Sequence, residues 1–505
     1  MKKYALISVS DKTNIVDFAS RISDKGYEIL ATGNTAKVIK ETGLDCIEVQ
    51  SLTSFPEIFS GRVKTLHPVV MGGILMRRDN RDDLMEAEAN GINPIEIVCV
   101  NLYPFPSIAS DNNIQLDTKI ENIDIGGPSL IRAAAKNYKF VSVITNPKQY
   151  DSFLEKLESN EIDETLRRKL AAEAFAYTSA YDTIIADFFE KEFKIVPSAV
   201  RLNCKIQSSL RYGENPHQEA KLCGNFFDYF DIIHGKELSY NNIVDLSAAV
   251  DLISDLGPHS CAIIKHTNPC GAASAADALE AYEKALSGDP VSAYGGIVIF
   301  NDNVDIKTAE KLNDIFLEII CAPGYSNQAL DLLKKKKNRR LIILKQPPDK
   351  NEIIIKNVPG GLIIQNKDNS LLDTDTIKLV TKRKYSDNEL KDLIFAWAIC
   401  KHTKSNAIVF VKDKKILGVG AGQTSRVDSA RVAVMKAKEH GHNLLGAVAA
   451  SDAYFPFADG LIEIAEQGIT AVVQPGGSIR DSEVIQAADD KNISMIFTGT
   501  RNFKH

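Results

Sequence analysis

Three absences limit what this chain of 505 residues can be. None of its eight cysteines forms a Cys-x-x-Cys pair, and several lie in apolar runs, which is typical of reduced core thiols. No apolar run reaches the roughly 18 residues that a membrane helix needs. There is no excess of basic charge, since the net charge is −6, whereas nucleic-acid binders are usually basic over a whole domain. We therefore expect neither a membrane protein nor a nucleic-acid-binding protein.

The beginning of the sequence also lacks the pattern of a secretory signal. Residues 4–9 form an apolar run of strand length, without the longer run and cleavage site of a signal peptide. Hydrophobic residues make up 44% of the chain and charged residues 25%, as in ordinary globular proteins. We expect a cytoplasmic protein.

The first third of the chain alternates strands with helices. Residues 4–9 and 95–101 have the composition of buried strands, while residues 12–25 and 163–192 have helical periodicity. Such alternation predicts βαβ units around a parallel sheet.

Length alone suggests roughly three domains. Pro197 and a polar stretch favour a first domain at residues 1–195. The polar segment that begins at residue 366 favours a division of the remainder into residues 196–365 and 366–505. We expect both later domains to be α/β as well.

Two turns in the first domain join a strand to a helix. Ser10 and Lys12 lie in one, and Gly33 and Thr35 lie in the other. Backbone N–H groups at such turns point at one spot, where the helix dipole favours an anion. Ser10 and Thr35 are also good N-cap residues, which is the plainer interpretation of each turn alone. Two such turns in adjacent units favour a phosphate site.

Further polar groups follow in the same domain. Arg62, Lys64 and Thr65 share one short loop, and Tyr103 follows the strand at residues 95–101. Beyond them, Asp124 precedes a glycine turn, and Lys136 lies one helical turn after Arg132. Two lysines, a tyrosine and an aspartate would form a proton-transfer group without a metal.

The pentapeptide Lys265–Pro269 (KHTNP) ends another apolar run. We expect it where a parallel sheet opens to solvent, since ligands bind at that edge, and histidine titrates near neutral pH. The tripeptide Lys401–Thr403 (KHT) is a weak echo that suggests an internal duplication. The cationic run Lys334–Arg340 is either a solvated helix end or a source of phosphate ligands.

These motifs identify a resemblance. Arg62–Pro68 (RVKTLHP), Arg211–His217 (RYGENPH) and Lys265–Pro269, in this order, closely resemble the bifunctional purine-biosynthesis enzymes. Those enzymes combine aminoimidazole carboxamide ribotide (AICAR) formyltransferase with inosine monophosphate (IMP) cyclohydrolase. The resemblance covers essentially the whole chain, from Ser8 to the tail Arg501–His505. It implies an α/β fold, with a methylglyoxal-synthase-like parallel-sheet domain followed by two cytidine-deaminase-like subdomains.

The resemblance also implies roles for individual residues. The ring-closing group would be Lys64, Tyr103, Asp124 and Lys136. The nucleotide in that domain would be held by Ser10, Lys12, Gly33, Thr35, Arg62 and Thr65. In the transferase, Lys265 and His266 would be catalytic, with Asn406 supporting them. The ribotide would be bound by Arg211, Tyr212, Asn242 and Arg501. The folate would be surrounded by Tyr294, Glu318, Tyr454, Pro456 and Asp459.

The same resemblance implies partners. 10-Formyltetrahydrofolate would be a co-substrate, with no tightly bound cofactor and no metal. The substrates would be small molecules, and the protein would be a homodimer that acts on neither nucleic acid nor membrane.

The chain departs from the usual pattern at three places. Asn34 stands where a second glycine is usual, and asparagine tolerates a left-handed backbone. The tail Arg501–His505 (RNFKH) differs from the usual RHFRH but keeps Arg501, and Tyr294 stands where phenylalanine is common. We expect phosphate binding and stacking on a pterin to survive these changes.

Three other interpretations are weaker. A zinc nucleobase deaminase needs His-x-Glu and Pro-Cys-x-x-Cys, but Cys270 has no cysteine partner two residues on. A nucleotide-sensing module would not need the complete ring-closing group. An enzyme that has kept only one of the two activities is the strongest of the three.

Overall fold

The computed structural model describes residues 2–505, apart from the side chain of Ser60, and the chain forms two compact units that meet at Asn203 and Cys204. The predicted boundaries near residues 195 and 366 stay predictions. Within the described residues, no helix is long and apolar enough to cross a membrane.

The first unit is a parallel sheet between helices. Its strands are β1 (Tyr4–Val9), β2 (Glu28–Ala31), β3 (Ile47–Glu48), β4 (Ile95–Asn101) and β5 (Ser142–Ile144). Its helices are α1 (Ile15–Asp24), α2 (Gly33–Lys40), α3 (Val49–Thr53), α4 (Pro68–Leu75), α5 (Arg81–Ala89), α6 (Phe105–Ser110), α7 (Leu116–Glu121), α8 (Gly126–Lys136), α9 (Tyr150–Glu158) and α10 (Glu164–Glu192), with short 3-10 turns at Phe59–Gly61 and Pro147–Gln149. The strand order β3-β2-β1-β4-β5 puts the apolar strands β1 and β4 side by side at the centre.

The second unit begins with small elements and then forms one long sheet. Its strands are β6 (Ile206–Ser209), β7 (Lys221–Cys223), β8 (Phe230–His234), β9 (Ser260–Lys265), β10 (Asn268–Ser274), β11 (Ile297–Phe300), β12 (Ile319–Ala322), β13 (Arg340–Leu344), β14 (Ile353–Val358), β15 (Gly361–Asn366), β16 (Lys378–Leu379), β17 (Ile408–Lys412), β18 (Lys415–Gly420), β19 (Val448–Ser451), β20 (Ala471–Gln474) and β21 (Ser494–Phe497). Its helices are α11 (Phe226–Tyr229), α12 (Tyr240–Asp255), α13 (Ala278–Gly288), α14 (Ile306–Leu312), α15 (Asn327–Leu333), α16 (Asp387–Lys401), α17 (Arg426–Glu439), α18 (Asp459–Ala465) and α19 (Asp481–Asp490).

The long sheet contains two halves with the same order of elements. In the described chain its order is β16-β21-β20-β19-β17-β18-β10-β9-β11-β12-β13-β8. From one edge to the centre the strands are β8, β13, β12, β11, β9 and β10, and from the other edge they are β16, β21, β20, β19, β17 and β18, so the two halves have the same chain order. Helices α12 and α16 pack on one face, while α13 to α15 and α17 to α19 cover the other. A duplication is therefore visible in the fold.

The predicted position of Lys265 at the end of a parallel strand is wrong. β9 pairs antiparallel with both β10 and β11, and His266 and Thr267 form the two-residue turn between β9 and β10. Both turn residues have positive φ, 51° and 63°, as a tight hairpin turn requires.

The predicted echo at residues 401–403 also differs. Lys401 is the last residue of helix α16, and His402 is its C-cap. A lysine–histidine dipeptide at a helix end is not equivalent to one in a hairpin turn, so the sequence match joins unrelated positions of the two halves.

Candidate functional site

A cleft of about 680 Å³ opens at the carboxyl ends of the parallel strands in the first unit. Ligands of open α/β sheets bind at this edge. Its lining includes nine of the ten predicted residues of this unit: Ser10, Lys12, Gly33, Thr35, Lys64, Arg62, Thr65, Tyr103 and Asp124. The folded chain thus brings together groups separated by more than a hundred residues in the sequence.

The cleft floor is fixed by side chains that bond to the backbone. Asn101 Oδ1 accepts from the N–H groups of Ser10 and Asp11, at 2.6 and 2.9 Å. The buried Thr35 hydroxyl donates to the carbonyl of Val9 at 3.1 Å. Neither Ser10 nor Thr35 is an N-cap, since α1 is preceded by Asn14 and α2 by Thr32.

The expected left-handed residue lies one position earlier than predicted. Gly33 has a φ of 39°, whereas Asn34 lies within helix α2 without a positive φ. Asn34 is exposed at the rim, so it needs no special backbone tolerance.

Two cationic side chains of the cleft form ion pairs with neighbouring carboxylates. Arg62 forms an ion pair with Glu121 at the exposed rim, with Nε 3.2 Å from Oε2. Lys64 Nζ lies 3.4 Å from Glu57 Oε2. An incoming anion would therefore compete with these carboxylates.

Asp124 is a half-buried carboxyl in the cleft. Burial raises the pKa of its carboxyl, and N–H groups at Gly127, Tyr103 and Gly126, with the nearby Lys64, oppose that rise. The Gly127 N–H donates to Asp124 Oδ1 at 2.7 Å. A carboxyl with a raised pKa beside a lysine is suited to proton transfer.

Lys136 is not part of this cleft. It is exposed in the last turn of α8 and lines a different hollow of about 810 Å³. That hollow is bordered by Leu75, Arg132 and Phe175, with the Arg132 guanidinium carbon 5.6 Å from the Phe175 ring centre. Arg132 and Lys136 share a helix face, as their spacing predicted.

In the second unit, several predicted transferase residues lie on the same side of the long sheet, at the ends of its strands. Ile264 pairs with Ile297, so Lys265 lies at the same end as the loop before β11, which carries Tyr294. Glu318 directly precedes β12, which is parallel to β11. These residues stand at the amino ends of the parallel strands β11 and β12.

The second half of the long sheet also contributes residues to this side. They lie at the carboxyl ends of its parallel strands, whereas those of the first half lie at amino ends. The first residue of β17, Ile408, pairs with the last residue of β19, Ser451. Asn406, just before β17, therefore lies at the same end as the segment after β19, which carries Tyr454. Lys404 N donates to Asn268 Oδ1 at 2.9 Å and joins this end to the Lys265 hairpin. The remaining residues of this group, Pro456, Asp459 and Arg501, follow β19 or β21 at that end.

Several side-chain contacts organise the first half of this region. Lys265 Nζ donates to the carbonyls of Tyr294 and Gly295, at 3.0 and 2.9 Å. Asn242 Nδ2 lies 3.1 Å from Glu318 Oε2, which also accepts from Arg340 Nη1 at 3.1 Å. Part of the cationic run at Lys334–Arg340 is therefore neither a solvated helix end nor a free phosphate ligand.

Arg211 belongs to the loop between β6 and β7, which form a separate two-stranded sheet. It lines a hollow of about 250 Å³ together with His217. The loop that contains both is joined to helix α12, because Asn241 Nδ2 donates to the carbonyl of Glu214 at 3.2 Å. Its neighbour Tyr212 lies under the Arg211 guanidinium, whose carbon is 5.7 Å from the ring centre.

Two supporting residues were missed by the sequence analysis. Arg426 is buried, donates to Asn406 Oδ1 at 2.9 Å and pairs with the fully buried Asp452. Asp245 accepts from the N–H of Thr267 at 2.7 Å and holds the hairpin turn. Asp245 interrupts the apolar pattern of α12, which is a usable signal, whereas nothing in the sequence marks Arg426.

Within residues 2–505 no group of three or more His, Cys, Asp or Glu side chains is arranged to hold a metal ion. All eight cysteines are free, and four of them are buried.

Comparisons with known proteins identify the family. Residues 134–436 match the family described as AICARFT/IMPCHase bienzyme, and residues 14–129 match the MGS-like domain. Proteins named bifunctional purine biosynthesis protein PurH are 47% identical in Persephonella marina and 48% identical in Chlorobaculum parvum, over 100% of this chain and 100% and 99% of those proteins. The protein of that name in Bacillus cereus is 47% identical, with 100% of both chains covered.

A solved structure titled "Crystal structure of ForH" is 34% identical and covers 37% of this chain and 100% of its own, with a TM-score of 0.33, which is too low to support a structural argument. The match of the full-length relatives is decisive instead. The chain belongs to the AICARFT/IMPCHase bienzymes, which transfer a formyl group to AICAR and close the resulting formyl-AICAR to IMP, the last two steps of purine biosynthesis.

Proposed function

We propose that the two reactions occur at the two sites described above, ring closure in the cleft of the first unit and formyl transfer at the end of the long sheet. The observation that carries the proposal is the common cleft of nine predicted residues in the first unit. Its mixture of cations, hydroxyls and one half-buried carboxyl suits a phosphorylated substrate that must exchange protons.

In ring closure, the carboxamide nitrogen of formyl-AICAR attacks the formyl carbon, and that carbon's oxygen leaves as water. Lys64 and the N–H groups at the start of α8 would stabilise the negative charge on that oxygen. The raised pKa of Asp124 supports a role as proton carrier, together with Tyr103. Phosphate binding falls to Ser10, Lys12, Gly33, Thr35, Arg62 and Thr65.

Lys136 needs a second chain to join this group. It lies outside the cleft of its own chain, in a hollow bordered by the exposed apolar side chains of Leu75 and Phe175. The predicted homodimer would cover that hollow and carry Lys136 to a partner's cleft.

In formyl transfer, the amine of AICAR attacks the formyl carbon of 10-formyltetrahydrofolate. The new C–N bond forms, the bond to the folate nitrogen breaks, and tetrahydrofolate leaves with a proton. His266 is the proposed base, because it is exposed on the hairpin turn and imidazole accepts protons near neutral pH. Asn406, held by Arg426, supports the reacting groups, and Lys265 belongs to the same site.

The binding residues divide between the two substrates. Ribotide binding is assigned to Arg211, Tyr212, Asn242 and Arg501. Folate binding is assigned to Tyr294, Glu318, Tyr454, Pro456 and Asp459. Tyr294 is 64% exposed and its ring centre lies 5.4 Å from that of Phe316, so the exposed part of its ring can stack on a pterin. We further propose a cytoplasmic homodimer that needs no tightly bound cofactor.

One assay tests whether the chain carries out both reactions. Purified protein is given AICAR and 10-formyltetrahydrofolate, and IMP and tetrahydrofolate are followed together. Equal yields of both products are expected. Tetrahydrofolate with accumulated formyl-AICAR, or IMP formed only from supplied formyl-AICAR, would mean that a single activity has been retained.

A further inference from the structure

A buried carboxylate stands at the carboxyl end of helix α13, where the helix dipole disfavours negative charge. Asp289 directly follows Gly288, the last residue of α13, and is 9% exposed. Pro290 comes next and does not continue the helix. The stability of α13 therefore does not explain an aspartate at this position.

The Asp289 carboxylate holds the loop that leads to Tyr294. Its Oδ1 accepts from the Ser292 N–H at 2.8 Å, and its Oδ2 accepts from the Ser292 hydroxyl at 2.7 Å. The Ala293 N–H donates to the Asp289 carbonyl at 3.2 Å. Ala293 is fully buried, whereas the next residue, Tyr294, is exposed. Asp289 thus fixes the backbone immediately before the aromatic ring that is assigned to the folate.

The second half of the long sheet supplies cationic groups to this carboxylate. Lys436, in the last turn of α17, lies with its Nζ 3.3 Å from Asp289 Oδ2. His440, the C-cap of α17, lies with its Nε2 3.1 Å from Asp289 Oδ1, although the contact is not aligned as a hydrogen bond. His442 Nε2 lies 2.8 Å from the carbonyl of Ser287. The end of α17 is thereby attached to the end of α13.

These contacts keep Asp289 ionised. Burial raises the pKa of its carboxyl, but the hydrogen bonds from Ser292 and the nearby Lys436 and His440 outweigh burial and hold that pKa below its usual range. An ionised carboxylate has both oxygens free to accept, whereas a protonated one gives up part of that capacity. The ionised form is therefore the one that binds both donors of Ser292.

Helix α17 joins this loop to another part of the proposed transferase site. Its first residue, Arg426, donates to Asn406 Oδ1 at 2.9 Å. Its last turn carries Lys436, which pairs with Asp289. One helix of the second half therefore contacts both Asn406, which is assigned to the reacting groups, and the loop that is assigned to the folate.

From these contacts we propose that Asp289 is a positioning residue for formyl transfer. Its carboxylate, held by the end of α17, fixes the turn that presents the Tyr294 ring to the pterin of the folate. Asp289 acts through this ring and not on a substrate. The inference rests on the proposed transferase site and adds to it a residue that the sequence motifs did not assign.

Two substitutions in the full-length protein test this role. Asp289→Ala removes both bonds to Ser292, and Tyr294→Ala removes the ring itself. We expect each to raise the KM for 10-formyltetrahydrofolate by about three- to tenfold, as for the loss of one aromatic stacking contact, with little change in kcat. A purely structural role would instead lower kcat through a smaller active fraction and leave this KM unchanged, and that result would overturn the inference.

The double substitution decides whether the two residues act together. If Asp289 acts through the Tyr294 ring, its removal should have no further effect on the KM once the ring is gone. We therefore expect the doubly substituted protein to have the same KM for 10-formyltetrahydrofolate as Tyr294→Ala. A further rise equal to the effect of Asp289→Ala alone would contradict the inference.

Asp277→Ala is the matched control, because it alters the same helix at its other end. The Asp277 carboxylate accepts from the Glu280 N–H at 2.9 Å as the N-cap of α13. Its loss should lower the thermal midpoint and leave the KM for 10-formyltetrahydrofolate unchanged. An equal rise in this KM in Asp277→Ala and Asp289→Ala would indicate a general disturbance of α13 and would contradict positioning.

Asp289→Asn is the second variant and keeps the shape of the side chain in case alanine prevents folding. Asparagine keeps one oxygen for the Ser292 N–H, but it places an amide group near the hydroxyl and has no charge for Lys436. We expect a smaller rise in the same KM. Lys436→Met should give a rise of similar size, because it removes the other member of the ion pair. A wild-type KM in both variants would overturn the inference.

Failure of the proposed folate assignment has a separate signature. An unchanged KM in Tyr294→Ala would remove this ring from the folate site and would overturn the inference with it. A raised KM in Tyr294→Ala beside a wild-type KM in Asp289→Ala would overturn the inference alone. Thermal unfolding of each variant shows that the compared proteins are folded.

Discussion

At the scale of single residues, the two lysine–histidine pairs of the chain differ in their surroundings. His266 is exposed on the β9–β10 turn. His402 is buried, and its Nε2 lies 2.7 Å from Asp255 Oδ2, which also accepts from Lys401 Nζ at 2.9 Å. The first imidazole is accessible to a substrate, and the second belongs to a buried cluster of charged and polar groups.

His266→Ala should abolish formyl transfer and spare ring closure. Loss of a general base typically costs on the order of 10²–10⁴ in rate. Affinity for AICAR should change little, since its phosphate is assigned to Arg211 and Arg501. Formyl-AICAR production is measured beside IMP formation from supplied formyl-AICAR. His402→Ala is the control, expected to lose stability rather than chemistry, and near-normal transfer by His266→Ala would remove this imidazole from the mechanism.

His402 should make stability depend on pH. Burial lowers its pKa below the value of about 6.5 in an unfolded chain. The unfolded state therefore binds more protons as the pH falls through that value, and stability falls by up to about 1.4 kcal/mol per pH unit. Above the pKa of the unfolded chain, this loss of stability is absent.

The measurement compares unfolding free energies of wild type and His402→Gln at about pH 7.5 and about pH 5.5. The difference in unfolding free energy between wild type and His402→Gln should be smaller at the lower pH, because only the wild type loses stability when its unfolded state binds a proton at His402. A difference independent of pH would show that His402 is not kept neutral by the fold.

At the scale of elements, each site is assembled by strand ends. Adjacent parallel strands β1, β2 and β4 end together, so the residues that follow them line one cleft. In the long sheet, antiparallel hairpins bring the amino ends of β11 and β12 and the carboxyl end of β19 to a common side. Sheet pairing, rather than sequence distance, decides which residues meet.

The first unit should therefore work alone. We expect residues 1–203 to convert formyl-AICAR to IMP without folate, because every candidate ring-closing residue precedes residue 137 and the unit has its own apolar core. IMP formation by the purified fragment is the measurement. The same fragment with Lys64→Met should be folded and inactive, and an unsubstituted fragment that is well folded and dimeric but inactive would contradict separable sites.

At the scale of the whole molecule, the expected homodimer would complete the ring-closing site. Lys136 lies outside the cleft of its own chain. Lys64→Met and Lys136→Met should each abolish ring closure, and their mixture should regain about a quarter of wild-type activity if chains exchange at random in a two-fold dimer. Sedimentation that finds a fully active monomer at micromolar concentration would overturn the dimer.

The sequence by itself determined several helices and strands of the first unit, because apolar periodicity and strand length reflect local burial. Residues 4–9 and 95–101 are strands at the predicted positions, and the segment 163–192 is one helix, Glu164–Glu192. Family motifs also led to the candidate site residues, because chemistry restricts which side chains serve. The Lys265–Pro269 motif is one example, since its residue types mark it without any information on its backbone conformation.

Only the tertiary structure decided how these pieces meet. Local pattern does not distinguish an antiparallel hairpin from a parallel strand end, since both follow an apolar run, so the turn at His266 was misassigned. The equivalence of the β9–β10 and β17–β18 hairpins was likewise hidden, because their residues differ and the match lies in strand order and turn geometry. Pairing between strands that are distant in sequence sets both features, and this pairing cannot be predicted from the residues on either side of a position.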